Sequence, residues 1–416
     1  MPLFLDGGDI QLGYLKTLVC RECGKEYPLT RIHVCEYCFG PLEVVYNYES
    51  MNLDQNSFND RPQTLWRYSE LLPITDPSKI VDLGTGFTPL HKANRLAKEV
   101  GLKTLYLKDD SVNPTNSFKD RPASVAVSKA LEFEAKAVGC ASTGNLAAAV
   151  AAHAAKVGLP CYIFIPSGLE FNKIIQVATY GAKIITVNGT YDDANRLAAQ
   201  ATEQYDLALA NINIRPYYVE GSKTLAFEVC EQLDWASPDH VIVPLGSGAL
   251  LCALGRGLDE FDRLGLIEDS NTRITGVQAE GCAPIVNAFT SKTDYVEPIE
   301  HPDTIAKSIA IGNPGDGKYA LKRIHDSNGL AQSVSDEETI EAIKLLARTE
   351  GIFTEPAGGV TIAAVKKLVD LGMISTDEVV VCYVTGNGLK TPEAVLDHIA
   401  KPIEIEPKLD SLYKVF

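Results

Sequence analysis

The chain has 416 residues, 45% hydrophobic and 22% charged, with a formal net charge of −16 at pH 7. That length exceeds one small core and suits two or three domains. The acidic excess argues against a nucleic-acid partner, which would be met by clustered Lys and Arg. At the N-terminus, MPLFLDGGDI has neither a basic nor an apolar signal region. Every apolar run is broken well before bilayer length, so the expectation is a soluble, cytoplasmic protein with no membrane partner.

Residues 16–46 read KTLVCRECGKEYPLTRIHVCEYCFGPLEVVY, in which Cys20/Cys23 and Cys35/Cys38 are separated by eleven residues. Each Cys-x-x-Cys makes a tight turn with both sulfurs on one side, and two such turns together form a tetrahedral site for zinc. Two redox-active or buried cysteine pairs are the alternative. So small a segment has little core of its own, and metal binding would supply its folding energy. Lys16, Arg21, Lys25 and Arg31 are interleaved with Glu22, Glu26 and Glu36, which favours a structural ribbon over a nucleic-acid one. The other six cysteines, at 140, 161, 230, 252, 282 and 382, lie singly among apolar residues and read as small buried hydrophobes. The ribbon is taken as residues 1–46, followed by a polar connector over 47–80.

From residue 81 short β-branched runs alternate with helical patterns. TLYLK (104–108) predicts a strand and is followed by a helix from about 119; AVGCA (137–141) is followed by the helix GNLAAAVAAHAAKVG. PCYIFIP (160–166) precedes the helix EFNKIIQVATYGA, and KIITV (183–187) precedes DDANRLAAQATEQY. HVIVPLG, RITGVQA and EVVVCYVTG supply later strands. Apolar strands alternating with helices predict parallel α/β sheets covered on both faces.

Three loops follow predicted strands, at the place where open α/β sheets bind ligands. In CASTGNLAA, Ser142, Thr143 and Gly144 lead into a helix whose free N–H groups suit a carboxylate or phosphate; helix capping alone is the other reading. In VIVPLGSGALL, Gly246 and Gly248 precede a helix without the Lys-Ser or Lys-Thr of a nucleotide loop, a pattern that suits a monophosphate. In YVTGNGLKT, Thr385 offers one hydroxyl to a ring nitrogen, or caps the helix expected near Thr391.

NPTNSFKDR (113–121) places Lys119 where turn becomes helix. The helix N-terminus, Arg121 and any burial all disfavour an ammonium there. Such a lysine is an amine able to form a Schiff base. One lysine, one monophosphate loop and one hydroxyl for a ring nitrogen are the parts that hold pyridoxal phosphate.

NPTNSFKDR, ASTGN, EGSKTLAFEV, TEGIFTEPAGG and TGNGLK, with LGTGFTPL upstream, resemble the landmarks of the fold-type II pyridoxal-phosphate enzymes. Within that family the chain is similar to the threonine synthases. Its ribbon and RPYYVEGSKT resemble those of cyanobacteria. The resemblance implies a tryptophan-synthase-β-like fold, two doubly wound α/β lobes interleaved over 81–416, and a homodimer. The first lobe is expected to carry Lys119 and Asn145, the second the phosphate loop and Thr385.

The resemblance also assigns roles. Lys119 would carry the cofactor as a Schiff base and act as general acid and base, with Phe118 beside the cofactor. Asn145 would bond its 3-oxygen and Thr385 its ring nitrogen, leaving that nitrogen largely unprotonated. Gly246, Ser247, Gly248, Ala249 and Leu250 would hold its phosphate. Ser142, Thr143 and Gly144 would receive the carboxylate of a phosphorylated amino acid. The implied reaction converts O-phospho-L-homoserine and water to L-threonine and phosphate.

The chain departs from the family pattern at Tyr218, where many threonine synthases have an arginine, and at Asn116, where a glycine is usual. Arg215 and Lys223 are near enough in sequence to replace the arginine, and Lys307 is a further candidate cation. Two rivals share the scaffold: cysteate synthase, acting on O-phosphoserine and sulfite, and a threonine or serine dehydratase. A non-catalytic zinc-binding interaction protein is the rival of another class.

Overall fold

The computed structural model describes residues 14–167, 174–268 and 271–416. MPLFLDGGDI and the first residues of the helix expected from 170 lie outside the described residues; of that helix, Ile175–Thr179 is seen.

The ribbon is a three-stranded antiparallel sheet of β1 (Leu15–Cys20), β2 (Glu26–Tyr27) and β3 (Leu42–Tyr46), in the order β2-β1-β3. Alternation decides its orientation. Leu42, Val44 and Tyr46 point inward and join a core that includes Ala123, Ala126 and Tyr217 from the rest of the chain. The small sheet therefore completes its core on the larger one.

The remaining strands are β4 (Leu90–Lys92), β5 (Thr104–Asp109), β6 (Ala137–Ala141), β7 (Cys161–Pro166), β8 (Lys183–Val187), β9 (Leu207–Leu209), β10 (His240–Pro244), β11 (Arg273–Ala279), β12 (Ala331–Val334) and β13 (Val379–Val384). They form a six-stranded sheet, β12-β11-β10-β13-β5-β4, and a four-stranded sheet, β8-β7-β6-β9. All pairings in these two sheets are parallel except β4 with β5. Buried on both faces, β6 and β10 are apolar almost throughout, as parallel strands must be. Among the described residues no helix is long and apolar enough to cross a membrane.

Two expectations change. Residues 47–80 are not merely a polar connector: Phe58, Leu65, Trp66, Tyr68, Leu71, Leu72 and Ile74 are buried. Short 3₁₀ turns, capped by Asp54 and Thr64, carry these side chains inward at an irregular spacing that no helical or strand period reveals. Tyr68 then packs 5.2 Å from Phe227 and 5.4 Å from Phe58, centroid to centroid. Lys119, moreover, does not share a sheet with Asn145. β5 pairs with β13 in the large sheet, and the helix Asp120–Glu132 then buries Ala123, Ala126, Val127 and Ala130 in the core of the small one. Lys119 stands at that crossing.

β5, β13 and β10 are neighbours running in one direction, so the loops that follow them emerge together. These loops carry Lys119, Thr385 and Gly246–Leu250. Asn145 follows β6 and comes to the same place from the other sheet.

Candidate functional site

Lys119 is the residue before the helix Asp120–Glu132. The segment leading to it is stitched to the loop after β13. Phe118 donates its N–H to the Thr385 carbonyl at 2.9 Å, and the Asn387 N–H reaches the Asn116 carbonyl at 3.0 Å. Asn116 has φ +63°, a left-handed conformation that asparagine tolerates where glycine would be the default. Asparagine thus supports the left-handed turn that this loop makes.

The Lys119 amine lies 4.5 Å from the Phe118 ring centroid and donates to the Tyr218 hydroxyl at 3.3 Å. Burial pulls it down to about 8; the Glu355 carboxylate opposes this and the Arg215 guanidinium adds to it. Arg121, expected to contribute, is instead locked between Asp110 and Glu228, fully buried. Its charge is neutralised there.

Asn145 opens the helix Asn145–Val157. Its amide nitrogen donates to both carboxylate oxygens of Glu355 at 3.1 Å. Glu355 is buried and begins the helix Pro356–Asp370; burial raises its carboxyl, against the pull of Asn145, Lys390 and Lys119. Its N–H bonds the Gly386 carbonyl at 3.0 Å, and a β-carbon on Gly386 would stand 2.4 Å from its Oε1. In sequence Glu355 is marked only as an acid before Pro-Ala-Gly-Gly, a pattern that carries no sign of Asn145.

Ser142, Thr143 and Gly144 precede Asn145, and among the described residues no side chain caps that helix. Among the described residues, Ser142 Oγ accepts only from the Gly144 N–H, at 3.4 Å. The capping alternative therefore fails, and the first amides of the helix remain open to an anion. Capping also fails for Thr385, since Asn387 caps the turn Gly388–Lys390 through the Leu389 N–H at 3.0 Å. Among the described residues, Ser117 Oγ is buried without a hydrogen bond.

Gly246, Ser247 and Gly248 run into the helix Ala249–Arg263. Gly248 has φ +90°, and a β-carbon there would meet the Asp316 carbonyl oxygen and Ala320 Cβ, each at 2.9 Å. Only glycine fits. Asp316 braces the loop from behind, its N–H reaching the Ser247 carbonyl at 2.9 Å. It also pairs with Arg215 and, at 3.3 Å, with Arg21 of the ribbon.

The candidate cations divide. Arg215 is partly exposed and electrostatically felt at Lys119. Lys307 is exposed on the turn Lys307–Ile309, and Ile309 and Ile311 beyond it pack on Gly246. Lys223 is a correction: its amine is fully buried between Glu220 at 2.7 Å and Glu260 at 2.9 Å, over the Tyr46 ring. Helical spacing from Glu220 turned it into the core, where no charge remains for a substrate.

The parts fit pyridoxal phosphate. A lysine amine held near 8, a glycine loop opening a helix, and a Ser117 hydroxyl buried without a partner among the described residues are what a phosphorylated pyridine aldehyde would satisfy.

The four cysteines of the ribbon also meet. Their sulfurs lie within 4.8 Å of one another, with Cys20–Cys38 at 3.4 Å and Cys23–Cys35 at 3.6 Å. Backbone N–H groups of Glu22 and Tyr37 donate to the Cys20 and Cys35 sulfurs, each at 3.4 Å, contacts that orient and stabilise metal-bound thiolates. Of the six scattered cysteines, five are buried and Cys252 is half-buried.

Residues 81–386 match the family described as pyridoxal-phosphate dependent enzyme. The chain is 44% identical to the threonine synthase of Methanocaldococcus jannaschii over 400 residues, covering 95% of this chain and 98% of that one. It is 38% identical to the threonine synthase of Synechocystis, covering 83% of this chain and 88% of that one. Among solved structures, diaminopropionate ammonia lyase from Escherichia coli shares the fold at a TM-score of 0.63 and 20% identity, covering 82% of this chain and 95% of that one.

Proposed function

The chain belongs to the pyridoxal-phosphate-dependent enzyme family, among its threonine synthases, and on that premise we propose that its site converts O-phospho-L-homoserine and water to L-threonine and phosphate. The observation that carries this reading is the meeting of Lys119, Asn145, Thr385 and the Gly246–Leu250 loop at the carboxyl ends of β5, β6, β13 and β10.

Lys119 would hold the cofactor, with Phe118 against it, Asn145 and Thr385 bonding its ring substituents and nitrogen, and residues 246–250 its phosphate. When bound, pyridoxal phosphate supplies an electron-withdrawing ring that makes substrate protons at Cα and Cβ removable. Everything else is left to this chain. An amine near 8 is neutral in useful amount at physiological pH, so Lys119 can take and return protons at those carbons. Glu355 holds the Asn145 amide at a fixed angle. The open amides from Ser142 to Gly144 would receive the substrate carboxylate. Arg215 would receive the phosphate end, where a guanidinium suits an anion. Thr385 is neutral, so it places no negative charge opposite a ring nitrogen and leaves it largely unprotonated.

The ribbon sulfurs Cys20, Cys23, Cys35 and Cys38 would hold a structural zinc. The same reading takes the enzyme as cytoplasmic and as a homodimer, which light scattering on the purified protein tests. The decisive experiment incubates the cofactor-loaded protein with O-phosphohomoserine, and separately with O-phosphoserine plus sulfite, beside Lys119→Ala. Threonine and phosphate from the first substrate alone, absent in Lys119→Ala, are expected. Cysteate from the second pair alone would overturn the substrate, and turnover by Lys119→Ala would overturn the site.

A further inference from the structure

Tyr218 stands where many threonine synthases have an arginine, and its place in the structure gives it a task. Its hydroxyl lies 3.3 Å from the Lys119 amine and makes no other hydrogen bond among the described residues. The side chain is 7% exposed and belongs to the apolar cluster of Val138, Cys140 and Leu146. The amine is 6.0 Å from the ring centroid, so it meets the oxygen rather than the π face.

The contact is enforced by the backbone. Tyr218 lies on the short helix Arg215–Tyr218, with its N–H on the Ile214 carbonyl at 3.0 Å. Three residues on, a β-carbon at Gly221 would stand 2.5 Å from the Arg121 carbonyl oxygen. That missing β-carbon lets the 218–221 segment lie directly on the 119–121 segment. Tyr217, its neighbour, turns the other way and bonds the Thr30 carbonyl of the ribbon at 2.9 Å.

The charged and titratable groups around the pair come from four elements. Arg215 is on the same helix, Cys140 on β6, Tyr191 on the helix Tyr191–Gln204, and Glu355 at the start of the helix Pro356–Asp370. Burial pushes the Tyr218 hydroxyl well above its ordinary value, with Arg215 opposing. It therefore stays protonated and neutral while Lys119 changes charge.

We propose that Tyr218 is a second catalytic residue, whose oxygen accepts an N–H of Lys119 and so aims the amine at the substrate's Cα proton. As that C–H bond breaks, its electron pair stays with Cα, where the bound cofactor's electron-withdrawing ring would draw on it; the Lys119 lone pair forms the new N–H bond, and the Tyr218 oxygen stabilises the resulting ammonium while Tyr218 keeps its own proton throughout. This rests on the reading of Lys119 given above.

The test uses Tyr218→Phe, with Tyr217→Phe as the control for losing a buried hydroxyl from the same helix. Cofactor is added back to cofactor-depleted protein across pH, and the rate is followed by the absorbance of the bound chromophore. That rate reports the charge of the Lys119 amine without turnover. Threonine formation is profiled over the same range. Losing an acceptor that favours the ammonium should lower the loading midpoint by about half a pH unit or more. Turnover should fall about tenfold or more. Tyr217→Phe should move neither midpoint nor turnover. A wild-type midpoint with wild-type turnover in Tyr218→Phe would overturn the proposal while leaving Lys119 in place. Loading of Lys119→Ala with an unchanged chromophore would overturn both. If Tyr218→Phe does not fold, 3-fluorotyrosine at 218 keeps the packing with a weaker acceptor oxygen, and an unshifted loading midpoint there sinks the proposal equally.

Discussion

Asn145 and Glu355 are joined by two contacts of 3.1 Å, one from the amide nitrogen to each carboxylate oxygen. An acid at the start of one helix thereby fixes an amide at the start of another, 210 residues away in sequence. Glu355→Gln keeps the shape and removes the charge. Two outcomes are expected. The Lys119 amine should fall further below its present value of about 8, because the one carboxylate holding it up is gone. Cofactor affinity should weaken by about tenfold, the cost of a charge-assisted hydrogen bond. Spectral titration with pyridoxal phosphate reads both; an affinity and pH midpoint equal to wild type would remove Glu355 from the site.

Of the three candidate cations, Arg215 is the one whose charge is felt at Lys119, whereas Lys223 is paired with Glu220 and Glu260. Arg215→Gln should raise KM for O-phosphohomoserine by about tenfold or more, as the loss of an ionic hydrogen bond implies. The cofactor spectrum should keep its shape, and kcat should change less than KM. Steady-state kinetics with a spectrum of each variant decide this. An unchanged KM would mean that another group receives the phosphate.

Much of this site was legible beforehand because its residues sit at strand-to-helix junctions, which local patterns mark. Lys119, Asn145, Gly248 and Thr385 each follow a short apolar run and precede a helix or turn. What escaped was long-range. Which sheet β5 joins depends on its pairing with β13, some 275 residues later, and no local pattern carries that. Glu355 looked like any acid before a helix until Gly386 and Asn145 closed around it. Lys223 was misjudged for the same reason: sequence proximity to Tyr218 says nothing of the helix face, which turned its amine onto Glu260.

Behind the site, Glu228 bonds Arg121 and Lys108, all three fully buried. Burial alone would raise the Glu228 carboxyl, but Arg121 and then Lys108 hold it at about 2. A carboxyl depressed from an ordinary 4.5 adds stability that is whole above about 4.5 and is lost as pH falls toward 2. Glu228→Gln should therefore lose most at neutral pH, on the order of 3–5 kcal/mol for unpairing buried cations. Its deficit against wild type should shrink between pH 4.5 and pH 3. Thermal melts of both proteins at pH 7 and pH 3 test the sign; a deficit that grows in acid would contradict it.

The ribbon is tied to the site by the two residues inside its first knuckle. Arg21 lies over the Tyr319 ring at 3.7 Å and pairs with Asp316 at 3.3 Å, while Glu22 meets Lys318 at 3.1 Å. Cys20 and Cys23 flank both residues, so whatever holds those sulfurs sets where Arg21 and Glu22 point. Asp316 in turn holds Arg215 and braces the Ser247 carbonyl. Elemental analysis should find one zinc per chain in the native protein and none in Cys35→Ser. Losing the metal removes folding energy from a sheet that has little core of its own, so the melting temperature should drop. Because the clasp ends at Asp316, KM for the phosphorylated substrate should rise as well, while the cofactor stays bound to Lys119. Adding zinc back to chelated wild-type protein should restore both quantities, and Cys35→Ser should not respond. A metal-free protein with unchanged KM and melting temperature would show that the ribbon stands without metal and that its clasp on Asp316 does not reach the substrate.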